Sequence, residues 1–183
     1  MRNRVLRFSF IFLLLPFFVY SVDLKDFYKL FPDIPEWEAS EPIGGRINID
    51  NIYTLRVERL YKSEDKYLKF SIIGGNEAES LWRPFLLKIS YEHDNEWRKI
   101  EKTGKELLGV YYNKSKKTGE LVFPIEKGKK VVGIFLMEFK NISSHEALSI
   151  FKKTDLEGLK KLVLKDLQDF KVFVAEQKKT KKK

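Results

Sequence analysis

Cysteine is absent from the 183 residues, and histidine and methionine occur twice each. Without cysteine there can be no disulfide framework, so the domain must be held by its own core. The same absence rules out a bacterial lipoprotein, which carries its lipid on a cysteine after the leader. His93, in YEHDNEW, and His145, in the first turn of a predicted helix, have no neighbouring His, Cys or carboxylate arrangement that reads as a metal set. No G-x-S-x-G occurs to present a serine nucleophile. Gly44-Gly45 and Gly74-Gly75 lack the spacing of phosphate or dinucleotide loops and read as bends after extended runs. Acidic residues in SEDK and EHDNE are ordinary for turns. The residues therefore specify no cofactor, no metal and no recognisable catalytic constellation, and an enzyme of unrecognised type is the runner-up reading.

What is present begins with the amino terminus. Arg2, Arg4 and Arg7 precede an uncharged run, residues 8–22, dominated by Phe and Leu. That is the layout of a secretory signal, and Val19 and Ser21 are small enough to stand third and first before a cut. A membrane-crossing helix wants about 20 apolar residues, so residues 1–21 are expected to be a cleaved signal peptide. A retained anchor and a buried element are the alternatives. The expected location is periplasmic or extracellular, or, with an uncleaved leader, membrane-anchored facing outside the cytoplasm.

The charge of +9 is unevenly placed. Removing three leader arginines and the five lysines of KKTKKK leaves +1 over residues 22–177, expected to form one domain. That near-neutral body carries no footprint for specific nucleic-acid binding. Residues 178–183 read as a disordered Lys-rich tail, with weak contact to anionic membrane as its functional alternative.

Periodicity fills in the body. Asp23 is placed to cap a short helix in DLKDFYKLF, whereas PDIPEWEASEPIGG, with its three prolines and Gly pair, looks too punctuated for a regular element. YTLRVERLY and YLKFSII alternate around SEDK and predict a hairpin. NEAESLWRPFLLKIS has a helical stripe, with Pro84 implying a late start near Trp82 or a kink. YEHDNEW reads as a polar connection. WRKIEK, ELLGVYYN, ELVFPIE and KVVGIFLMEF read as strands, residues 131–137 being the central one. Ser143, three before Glu146, and Thr154 or Asp155 announce two closing helices, and FKVFVAEQ continues the second or forms a last strand. The order implies an α+β fold, an antiparallel β-sheet packed with helices on one or both faces, because the connections between neighbouring strands are too short for parallel crossovers.

Trp37, Trp82 and Trp97, with His93, are the candidate ligand or partner contacts, against core filling for the tryptophans and a solvated loop for the histidine. Asn113-Lys-Ser and Asn141-Ile-Ser fit the glycosylation pattern.

Three phrases carry a family likeness: IPEWEASEP at residues 34–42, RVERLYKSEDKYLKFSI, and EALSIFKKTDLEGLKKL at residues 146–162. In these the chain resembles small exported bacterial proteins of uncharacterised function, loosely similar to PsbP-like domains. The resemblance implies a periplasmic or secreted α+β sandwich and supplies no catalytic residues. The functional expectation is an exported, non-catalytic accessory or binding domain for a protein or a small apolar ligand. A membrane-surface protein tethered by its leader is the further alternative.

Overall fold

In the computed structural model, which describes residues 22–49, 52–86, 90–103 and 106–180, Asp23 does what its place before an apolar stripe requires. Its carboxylate accepts the N–H of Lys25 at 3.0 Å, and Asp26 reaches back to the Asp23 N–H at 3.3 Å. This reciprocal cap starts α1 (Leu24–Tyr28), whose Phe27 is buried.

The next stretch departs from expectation. IPEWEASEPIGG contributes two strands, β1 (Glu38–Ala39) and β2 (Ile43–Ile49), both antiparallel to β3 (Ile52–Ser63). Gly44 and Gly45 lie inside β2. A Cβ on Gly44 would sit 2.9 Å from the Arg56 carbonyl oxygen and 3.0 Å from Val57 Cγ2, so the glycine permits a close strand approach and makes no bend.

The predicted hairpin is present: β3 pairs with β4 (Lys66–Gly75) around Glu64 and Asp65. Gly75, at φ +93°, ends β4 in a conformation that L side chains avoid, and a Cβ there would collide with the Tyr53 carbonyl oxygen. Helix α2 (Asn76–Leu86) begins at Asn76 itself, with Pro84 in its last turn. Pro84 has no N–H to give the Ser80 carbonyl four residues before it, and Ser80 is exposed.

The rest of the sheet is a meander: β5 (Tyr91–Glu92), β6 (Glu96–Thr103), β7 (Glu106–Asn113), β8 (Thr118–Lys127) and β9 (Lys130–Lys140). YEHDNEW, expected as a connection, holds β5 and its turn, closed by the His93 N–H donating to the Glu96 carbonyl at 2.8 Å. The strand order is β1-β3-β4-β9-β8-β7-β6-β5, with β2 also on β3, and every pairing is antiparallel. The densest apolar strand, β9, lies in the middle between β4 and β8.

Alternation along the strands separates two cores. On the first face Leu55, Phe70, Phe135, Phe123 and Val110 pack against α3 (Ser144–Phe151) and α4 (Leu156–Thr180), through Phe151, Leu159, Val163 and Phe170. On the second face Ile73, Val122, Ile134 and Leu136 pack under Ala78, Trp82 and Phe85 of α2. Among the described residues the fold is α+β, a nine-stranded antiparallel sheet flanked by helices and not closed into a barrel.

Ser143 Oγ caps α3 by accepting the Glu146 N–H at 3.1 Å. Asp155 Oδ1 accepts the Gly158 N–H at 2.9 Å at the start of α4, while the Thr154 hydroxyl is buried without a hydrogen-bond partner among the described residues. FKVFVAEQ continues α4, which runs on through the first three residues of KKTKKK; residues 181–183 lie outside the described residues.

The predicted leader, residues 1–21, also lies outside the described residues. The membrane-anchored alternative is corrected on what the structure does describe: no helix among those residues is long and apolar enough to cross a membrane.

Candidate binding face

Helix α2 covers only part of the second face, and the register shows what it leaves open. Directly opposite one another across five strands stand Arg98 on β6, Tyr111 on β7, Glu120 on β8, Glu138 on β9 and Lys69 on β4. The row beside it toward the open end is Asn113, Thr118, Lys140 and Tyr67. The row on the other side, Gly109, Val122, Leu136 and Ser71, runs under α2. Phe85 lies flat on this last row because Gly109 has no side chain; a Cβ there would come within 2.6 Å of the ring.

One end of the open row is packed among aromatic rings, although Arg98 Nε is buried with no hydrogen-bond partner among the described residues. The Arg98 guanidinium lies over the rings of Phe85, Tyr111 and Tyr91, with centroids 5.4, 5.5 and 5.6 Å away. The Tyr111 hydroxyl donates to Glu96 Oε2 at 3.0 Å. Burial, and then that acceptor, raise the Tyr111 phenol above its ordinary range. At the other end Lys69 is ion-paired with Glu138.

Glu120, in the middle, is different. Among the described residues no hydrogen bond or ion pair reaches its carboxylate. Burial and then the facing Glu138 push its pKa above the ordinary glutamate value, and Arg98 and Lys69 offset this only in part. Glu120 and Glu138 both line two adjoining hollows. One, of about 240 Å³, is completed by Tyr67, Tyr111, Thr118 and Lys140. The other, of about 190 Å³, reaches Arg56, Lys69 and Leu81 at the α2 margin. The larger hollow at the β5–β6 edge, about 460 Å³, wraps the rim of the sheet: Tyr91 and Arg98 belong to one face, Glu92, Trp97 and Lys99 to the other.

The four residues singled out from sequence are dispersed. Trp37 is half-buried against the larger core after α1. Trp82 is 2% exposed and stacked on Phe85 at 5.2 Å, so it pins α2 to the sheet. Trp97 is half-buried on the first face of β6, with the Lys99 ammonium 4.6 Å from its ring. His93 is exposed in the β5–β6 turn, 5.5 Å from the Tyr91 ring. Only Trp97 and His93 come to the same edge. Asn113 is buried, and its side-chain Oδ1 accepts from the Ser115 hydroxyl and the Lys116 N–H, each at 2.9 Å, in the β7–β8 turn. Among the described residues no group of three His or carboxylate side chains could hold a metal ion.

Sequence reasoning missed Tyr67, Tyr111, Glu120 and Glu138. Their only signal is a carboxylate at an outward position within TGELVFPIE and GIFLMEF, and neither segment says that the two will be neighbours. Compared with protein-family models, curated proteins and solved structures, the chain has no match.

Proposed function

We propose that the protein is a non-catalytic accessory or binding domain, and that its recognition surface is the uncovered half of the second sheet face. The observation that carries this is Glu120, a partly buried carboxylate with no hydrogen-bond partner among the described residues, set between tyrosine rings and a second carboxylate. Such a group is held at a cost that an incoming cation relieves. The hollow of about 240 Å³ is smaller than a typical small-molecule pocket. It suits the head of one side chain delivered by a protein partner, so the partner is a protein segment presenting a lysine. The aromatic walls from Tyr67 and Tyr111 suit the apolar stem of that lysine, and Glu120 its ammonium.

A small apolar ligand, the other expected partner, fits this face less well, since charged groups line both hollows. The PsbP-like sandwich stands as a proposal of the same kind, supported by one sheet with helices packed on each side.

The test is titration of the isotope-labelled protein with a blocked lysine pentapeptide. Resonance shifts should centre on Tyr67, Tyr111, Glu120 and Glu138, weaken at least ten-fold in affinity in Glu120→Gln, and be absent with the norleucine counterpart. Shifts elsewhere, or equal shifts with norleucine, would sink the reading.

A further inference from the structure

The chain enters α1 through a buried polar knot. Val22 is 1% exposed, and its carbonyl accepts from Arg46 Nη2 at 2.8 Å. The same nitrogen is ion-paired with Asp166 Oδ1, which also accepts Arg46 Nε at 2.9 Å. Arg46 comes from β2, Asp166 from α4, and the guanidinium carbon lies 5.9 Å from the centre of the Phe27 ring. Asp166 is 0% exposed, yet its second oxygen, Oδ2, has no hydrogen-bond partner among the described residues. A buried carboxylate with an orphaned oxygen lacks a donor that the fold should supply.

We propose that this donor is the α-ammonium of Val22, created when the chain is cut between Ser21 and Val22. Two observations on different residues converge on it. Val19 and Ser21 are the small residues that a processing endopeptidase takes third and first before its cut. Val22 is the residue whose carbonyl is already held by the arginine that grips Asp166. In the hydrolysis a water oxygen bonds to the Ser21 carbonyl carbon as the C–N bond breaks. Ser21 departs as a carboxylate, and the Val22 nitrogen gains a proton and becomes an ammonium at neutral pH. An amide nitrogen offers one donor and no charge; the ammonium offers three donors and the charge that matches Oδ2. The cut thus stabilises the body that it releases. The inference stands independently of the Glu120 face.

Intact mass of the protein from its native cells should give Val22 as the first residue; any other start overturns the proposal. The energetic test uses the full chain with residues 17–21 replaced by a site-specific protease sequence that leaves Val22 first. Cutting should raise Tm by about 4–8 °C. The gain should vanish in Asp166→Asn, and also when one glycine precedes Val22, which moves the ammonium about 3.8 Å along the chain. An equal gain in either variant, or none in the parent, overturns it. Should Asp166→Asn not fold, the glycine variant decides together with amine-selective acylation. The Val22 amine should react at least ten-fold more slowly than that of a free Val-Asp-Leu peptide, and an equal rate overturns the ion pair.

Discussion

A carboxylate facing a carboxylate across two strands is an unfavourable pair, and Glu120 and Glu138 hold one in the middle of the sheet. Glu138 has Lys69 to answer it; Glu120 shares the field of Lys69 and Arg98 without touching either. Because the folded pKa of Glu120 is raised, the native state binds its proton more tightly than the unfolded chain does. Stability from this group is full below the ordinary value of 4.5 and is lost as pH rises through the raised one. Glu120→Gln should therefore raise Tm by a few degrees at neutral pH, with the difference closing in acid; thermal melts across pH read this directly. In Glu138→Gln the carboxyl carbon resonance of Glu120 should titrate closer to the ordinary glutamate value. An unchanged midpoint would show that burial alone causes the shift.

At the scale of elements, α2 sets the boundary of the binding face. Its grip is Trp82 and Phe85 on Ile73, Val122, Ile134 and Leu136, with an ion pair from Glu77 to Arg56 at 3.1 Å. Trp82→Ala should cost about 3–5 kcal/mol in urea denaturation, since it removes the largest side chain of that smaller core. Gly109→Ala should cost about 1–3 kcal/mol by forcing the Phe85 ring off the strand. If Gly109→Ala proves neutral, the ring has an alternative seat and the α2 margin is adaptable. The helices were legible because caps and apolar stripes are local: Asp23, and Ser143 with Glu146, announce themselves within four residues. β1 and β5 were not legible because two-residue strands show no alternation, and β2 was not because its glycine pair leaves no side chains to alternate. Gly44-Gly45 carries a bend signal until a neighbouring backbone lies against it.

For the whole molecule the deciding pairing is β4 with β9, two strands separated in sequence by α2 and four other strands. It joins the β3–β4 hairpin to the meander and makes β9 central. Amide hydrogen exchange should be slowest in β4, β8 and β9, where both edges are paired and both cores press on the sheet, and fastest in β1 and β5. Fast exchange in β9 would mean that the two halves open separately. The sequence alone determined the class of the fold, the near-neutral body between basic ends, and the strands that alternate strongly, because composition and periodicity are properties of short stretches. Only the tertiary structure decided that Glu120 meets Glu138, that Trp82 pins a helix, and that Val22, Arg46 and Asp166 converge. Each of those depends on strand register or on packing between distant segments, and no local pattern encodes either.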